Sequence, residues 1–252
     1  MKKKILSLVL AVLLIVPAMF MLSACDTNVI EVSTYDEIVA ALEGDKEVIK
    51  LKNDISSVKS IYITKKVTLD LNGKTLTGNG YDGVLYVDVT GELTIKGNGK
   101  VVAVGGYDVD KVFDENSDAE ALKNDEYTYA VWARGGKVVI ENGEFSNTAV
   151  KTDDHYDLIY ASQVKDKTSG EVVASGEITI LGGKYQNVTP KWTLNLQDNT
   201  QAKMIVKGGE FVNYNPADSK TEPDGVSASF VAEGYEAQLI EGTTNYKVVK
   251  SK

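Results

Sequence analysis

Beyond Ile30 the chain reads as short stretches of alternating apolar and polar residues, separated by Gly, Asn and Asp. Period-two alternation over so few positions predicts brief half-buried strands, and the turn residues between them mark where each strand stops. The strands are also self-similar. Val67-Thr-Leu-Asp-Leu-Asn72-Gly73-Lys74 aligns with Leu93-Thr-Ile-Lys-Gly-Asn98-Gly99-Lys100, 26 residues later. A second form occurs three times, as Val138-Val-Ile-Glu-Asn-Gly143-Glu-Phe145-Ser-Asn147, Ile178-Thr-Ile-Leu-Gly-Gly183-Lys-Tyr185-Gln-Asn187 and Met204-Ile-Val-Lys-Gly-Gly209-Glu-Phe211-Val-Asn213, the last two again 26 apart.

The remaining intervals are 45 and 40 residues, which exceed one period by 19 and 14. The first excess fits the acidic stretch 107–126, and the second fits 153–172. A constant period interrupted by polar excursions is the signature of a solenoid with looped-out inserts. Twenty-six residues of strand and turn suit one coil of a single-stranded parallel β-helix, with about three strands per coil. Its inward positions follow from the alternation: Val67 and Leu69, Leu93 and Ile95, Val138 and Ile140, Ile178 and Ile180, Met204 and Val206. Phe145, Tyr185 and Phe211 then form one column, read as an internal aromatic stack. Asn147, Asn187 and Asn213 form another, read as an amide ladder for turn backbone groups.

A solenoid needs its ends covered. Thr34 and Glu37 make a capping box for a short N-terminal helix over 34–43, with Ile38, Ala41 and Leu42 on its apolar face. At the other end, segments beginning at Ser229, Glu236 and Tyr246 read as strands of a terminal meander, a C-terminal β cap.

Three segments together, Thr34-Tyr-Asp-Glu-Ile-Val-Ala-Ala-Leu, Ile49-Lys-Leu-Lys-Asn-Asp-Ile and Val67-Thr-Leu-Asp-Leu-Asn-Gly-Lys-Thr-Leu, resemble the opening of bacterial surface proteins with a right-handed parallel β-helix of the pectate-lyase-like fold. The resemblance spans roughly residues 31–249 and implies an all-β fold. It implies little about activity, because that fold carries lyases, hydrolases, adhesins and structural stalks.

The first 25 residues change the picture of location. Lys2, Lys3 and Lys4 precede an uncharged run from Ile5 to Leu22, which ends in Leu22-Ser23-Ala24-Cys25. This is the layout of a secretory signal, and it resembles a bacterial lipoprotein signal with its lipobox. The reading is a signal peptide over 1–24, a lipidated Cys25, a short linker over 25–30, and an extracytoplasmic domain over 31–249 held at the surface of a Gram-positive cell. Several acyl chains on one residue anchor durably.

Removing 1–24 leaves 24 basic and 36 acidic side chains, a net of −12, which repels nucleic acid. One Cys excludes an internal disulfide. Arg134 is the one Arg, so forked recognition of an anion is confined to a single position. Among candidate catalytic groups, Asp153-Asp154-His155 holds the chain's one His but lacks the flanking Gly of polygalacturonase-like sites, and lies in an insert. A general base needs a proton within reach and a suitable pKa, and Arg134, entering Gly135-Gly136 at a strand end, shows neither. No cofactor is required; the one candidate is Ca²⁺ at Asp114, Asn116, Asp118 and Asp125, spaced as in an EF-hand loop but with Ala119 in place of Gly and Asp in place of the final Glu. Aromatic residues are the stronger lead. Tyr129, Trp132, Tyr156, Tyr160 and Trp192, with Arg134, form the candidate glycan-binding set, because such rings stack on sugars while neighbouring polar groups hydrogen-bond to them. The functional expectation is a non-catalytic binding or adhesion module; the rivals are a lyase or hydrolase of acidic polysaccharide and a passive spacer.

Overall fold

The computed structural model describes residues 28–80, 82–105, 128–149, 157–220 and 227–252. Strand β1 (Val29–Val32) and helix α1 (Tyr35–Glu43) come first. A three-strand cycle follows. It runs through β2 (Val48–Leu51), β3 (Ile55–Ser57) and β4 (Ile61–Ile63), then β5 (Lys66–Asp70), β6 (Thr75–Gly78) and β7 (Leu85–Val87). The next cycles are β8 (Glu92–Lys96), β9 (Lys100–Ala103) and β10 (Val131–Arg134), then β11 (Lys137–Ile140), β12 (Glu144–Asn147) and β13 (Ile159–Lys165). After β14 (Val172–Ser175) come β15 (Glu177–Ile180), β16 (Lys184–Gln186) and β17 (Leu194–Leu196). The chain ends with β18 (Lys203–Val206), β19 (Glu210–Phe211), a small ribbon of β20 (Ser219–Lys220) and β21 (Ser227–Ala228), β22 (Tyr235–Leu239) and β23 (Tyr246–Lys250).

Each cycle places one strand in each of three sheets, always in the same order. The first sheet is β1-β2-β5-β8-β11-β15-β18, all parallel. The second is β3-β6-β9-β12-β16-β19, closed by antiparallel β23 and β22, and the third is β4-β7-β10-β13 with β17 beside β13. The protein is thus all-β with parallel sheets, a path compatible with a β-helix-like winding. In the first sheet Val67, Leu93, Val138, Ile178 and Met204 are directly paired in register, and all ten inward residues expected from the alternation are buried.

That sheet also begins earlier than the 26-residue repeat indicates. Val29 pairs with Val48 and Val48 with Thr68, at spacings of only 19 and 20 residues. The early cycles have three-residue strands and short corners, so they escape a search at the longer period.

Phe145, Tyr185 and Phe211 stack inside the second sheet with ring centres 5.2 and 4.9 Å apart and planes within 13°. In the same cycle as Phe145 the third sheet turns in Ala161, so a small residue accompanies a large ring. The amide column is shorter than expected. Asn147 and Asn187 are buried and accept turn N–H groups of Ala149 and Val188, but Asn213 is exposed with φ 53°. Strand β19 stops at Phe211, and the chain has left the column by Asn213.

The lid forms as its capping residues demand. Thr34 accepts the Glu37 N–H, while the Glu37 carboxylate reaches Ser33 N–H instead of that of Thr34 itself. Ile38 and Ala41 are buried beneath it. At the far end β22 and β23 pair as expected, but the segment at Ser229 contributes only a single bridge, Val206 to Val231.

The second insert is a correction. Within 153–172 lies strand β13, whose Ile159 and Ala161 are fully buried, and most of the excess length is a hairpin in which β13 turns back as antiparallel β14. Asp166 caps its turn by accepting the N–H groups of Ser169 and Thr168, which hold its carboxyl below the usual range. Apolar residues on either side of Tyr160 make this segment a core strand; the polar turn behind it disguised that.

Outward charges alternate along the stack. Lys66, Glu92, Lys137, Glu177 and Lys203 are successive partners in the first sheet, and Lys100, Glu144, Lys184, Glu210 and Lys247 in the second. Three of these pairs close to 3.6, 2.8 and 2.9 Å. At a strand spacing of ~4.8 Å like charges would repel, so alternation favours the observed register over a slipped one.

Candidate functional site

The third sheet differs from the other two on its outer face. Each of its parallel strands centres on an apolar–X–apolar triplet: Ile61-Tyr62-Ile63, Leu85-Tyr86-Val87, Val131-Trp132-Ala133, Ile159-Tyr160-Ala161 and Leu194-Asn195-Leu196. The flanking residues enter the core, so the central one points out. Tyr62, Tyr86, Trp132, Tyr160 and Asn195 are consecutive register partners and form one row across the strands. Ring centres along it are 5.2, 5.1 and 5.8 Å apart, the first two in edge-to-face contact. Tyr129, arriving just before β10, lays its ring on Tyr160 at 5.3 Å and 13°, and lies 5.2 Å from Trp132.

The row is partly open. Tyr62 is 49% exposed and Trp132 and Tyr160 are half-buried, whereas Tyr86 and Tyr129 are buried and support the others.

A second, polar row runs beside the first, two residues further along each strand. Arg134 is paired in register with Ser162, and Asp88 and Gln197 occupy the equivalent positions of the neighbouring strands. Arg134 Nη1 donates to Tyr86 Oη at 2.7 Å, and Trp132 Nε1 donates to Ser162 Oγ at 2.8 Å. At the opposite flank Tyr62 Oη donates to Asp82 Oδ2 at 2.8 Å, and Asn195 Nδ2 to Asp157 Oδ1 at 3.3 Å. The glycines after Arg134 set where the strand ends. Gly135 takes φ +80°, and a Cβ on Gly136 would meet the Asp88 carbonyl oxygen at 2.4 Å, so only a bare backbone makes this corner.

Burial raises the pKa of Asp82, against the opposing effects of the Tyr62 hydrogen bond and the Arg134 charge. It raises Tyr62 strongly and Tyr86 more mildly, the guanidinium pulling Tyr86 back. Arg134 is held more firmly protonated by Tyr86 and by the nearby Asp88 and Asp82 carboxylates. The cluster therefore presents neutral phenols beside a fixed cation.

Of the residues expected from the sequence, Tyr129, Trp132, Arg134 and Tyr160 come together here. Trp192 does not join them as an open ring. It ends a short 3₁₀ turn, Pro190–Trp192, is 2% exposed, and has Lys191 Nζ 4.0 Å from its ring centre. Tyr156, Cys25, the Asp153-Asp154-His155 trio and the Ca²⁺ candidates Asp114, Asn116, Asp118 and Asp125 lie outside the described residues. Among the described residues no group of three or more His, Cys, Asp and Glu side chains is placed to hold a metal ion, and no helix is long and apolar enough to cross a membrane. Sequence reasoning missed Tyr62, Tyr86 and Asp82. The repeated apolar–aromatic–apolar triplet was the available signal for the two tyrosines. Compared with models of known protein families, with curated proteins and with solved structures, the chain matches none.

Proposed function

We propose that this protein is a lipid-anchored surface module with a right-handed parallel β-helix, and that it binds a glycan on the outer face of its third sheet without transforming it. The observation that carries this reading is the in-register row Tyr62, Tyr86, Trp132 and Tyr160, bordered by Asp82, Arg134 and Ser162. Aromatic rings fixed by hydrogen bonds offer apolar faces to sugar C–H groups, and the polar border offers partners for hydroxyls. Fixed side chains also lose little entropy on binding. The test is a glycan array read with wild type and with the Trp132→Ala, Tyr160→Ala double variant. Binding that the double variant loses supports the proposal, and a blank array for the wild type overturns it in favour of a passive spacer. The anchor is tested separately: Cys25→Ala should release the protein from the membrane fraction or block its maturation.

One observation favours a second reading, an enzyme acting on acidic polysaccharide. Asp82, bonded to Tyr62, and Asp88, at the position equivalent to Arg134 on the neighbouring strand, lie on the same outer face as Arg134. Arg134 is nonetheless held protonated and Tyr86 neutral, so neither is poised to remove a proton. Unsaturated product absorbing in the ultraviolet, formed from a uronate polymer and lost in Arg134→Ala, would establish the enzyme.

A further inference from the structure

The geometry points to a neutral, extended β-1,4-linked glycan as the ligand class, lying along the aromatic row and therefore across the strands of the third sheet. This inference rests on the glycan-binding reading and narrows it.

Direction comes from register. Tyr62, Tyr86, Trp132 and Tyr160 succeed one another at the strand spacing of ~4.8 Å, so a ligand touching several of them must run along the stack of coils, not along any one strand. Linkage comes from which rings are open. Tyr86 is buried between Tyr62 and Trp132, and the accessible rings on either side of it are two strand spacings apart, about 10 Å. A β-1,4-linked chain with two-fold symmetry is straight and turns over at each sugar, so every second residue offers the same apolar face at a comparable repeat. An α-1,4-linked chain curls and loses that match after one contact.

Charge sets the third constraint. Arg134 already donates to Tyr86, and the row is bordered by Asp82 and Asp88. Among the described residues, that border carries two carboxylates against one guanidinium. A uronate chain would bring further carboxylates beside these, an unfavourable Coulomb interaction on a surface that is acidic overall. Neutral hydroxyls gain from the same groups, because carboxylate acceptors form strong hydrogen bonds with them.

The experiment is calorimetric titration of the purified protein with cellohexaose, mannohexaose, maltohexaose and hexagalacturonate, using wild type, Tyr62→Ala, Trp132→Ala and Tyr62→Phe, with a urea denaturation of each variant as the folding control. The expected result is binding of at least one of the two β-1,4 hexaoses, weakened about tenfold by Tyr62→Ala and by Trp132→Ala, which is the ~1.4 kcal/mol of one stacking contact, and retained in Tyr62→Phe. Hexagalacturonate binding that depends on the same rings would overturn the neutral-ligand inference while leaving the glycan site standing. Maltohexaose bound as tightly as the β-1,4 chains would overturn the linkage. Loss in Tyr62→Phe equal to that in Tyr62→Ala would remove stacking as the cause, and no binding to any of the four, with a blank array, would overturn the site itself.

Discussion

Replacing Tyr185 separates the internal stack from the outer row using one residue type. Tyr185 is fully buried, its ring lies 5.2 Å from Phe145 and 4.9 Å from Phe211 with nearly parallel planes, and its hydroxyl donates to the Gly182 carbonyl at 2.7 Å. Truncating a large buried aromatic to Ala costs about 3–5 kcal/mol. Two ring contacts of about 0.5–1.5 kcal/mol each place Tyr185→Ala toward the upper end of that range. Tyr185→Phe keeps the ring and loses one hydrogen bond, about 1 kcal/mol. Tyr62→Ala removes a ring of the same kind from the half-exposed outer row together with its hydrogen bond to Asp82, and should cost about 2 kcal/mol. Against a typical domain stability of about 5–15 kcal/mol, the first change is large and the other two are modest. Urea denaturation followed by circular dichroism measures all three. Equal costs for Tyr185→Ala and Tyr62→Ala would refute the assignment of inside and outside on which the fold and the site both depend.

Ile180, fully buried between Ile140 and Val206, should not tolerate Asp, which would cost several kcal/mol, whereas Asp at neighbouring Thr179 should fold with nearly native stability; similar losses of soluble protein at both positions would contradict the alternation. Glu144→Lys would set Lys100, residue 144 and Lys184 in a line of like charges and should lower stability by about 1 kcal/mol at low salt, with recovery at high salt; a salt-independent loss would mean that packing, not charge, is responsible. Burial raises the pKa of Tyr185 and Tyr214 above the value near 10 of an unfolded chain, so the unfolded state loses protons first and stability should be level below about pH 9 and fall as pH rises through 10 and beyond. Denaturation midpoints between pH 8 and 11 check this, and Tyr185→Phe should flatten the decline.

The alternation of Val67 with Leu69, or Ile178 with Ile180, is a local property, because successive side chains of an extended backbone must point to opposite faces. The inward pairs, the Phe145–Tyr185–Phe211 stack and the capped helix at Thr34 were therefore legible before any strand was placed beside another. The outer row was not. Tyr62, Tyr86, Trp132 and Tyr160 are separated by 24, 46 and 28 residues, with no constant period, and they align only because each strand pairs in parallel with its counterpart in the preceding cycle whatever the length of the chain between them. Long-range pairing likewise decided that β13 is a core strand with a hairpin behind it, that Trp192 is enclosed at a corner, and that Asn213 leaves the amide column. An insert changes the spacing in sequence without changing the ~4.8 Å step in space, so a surface assembled from strands of successive cycles becomes visible only once the register of the sheets is known.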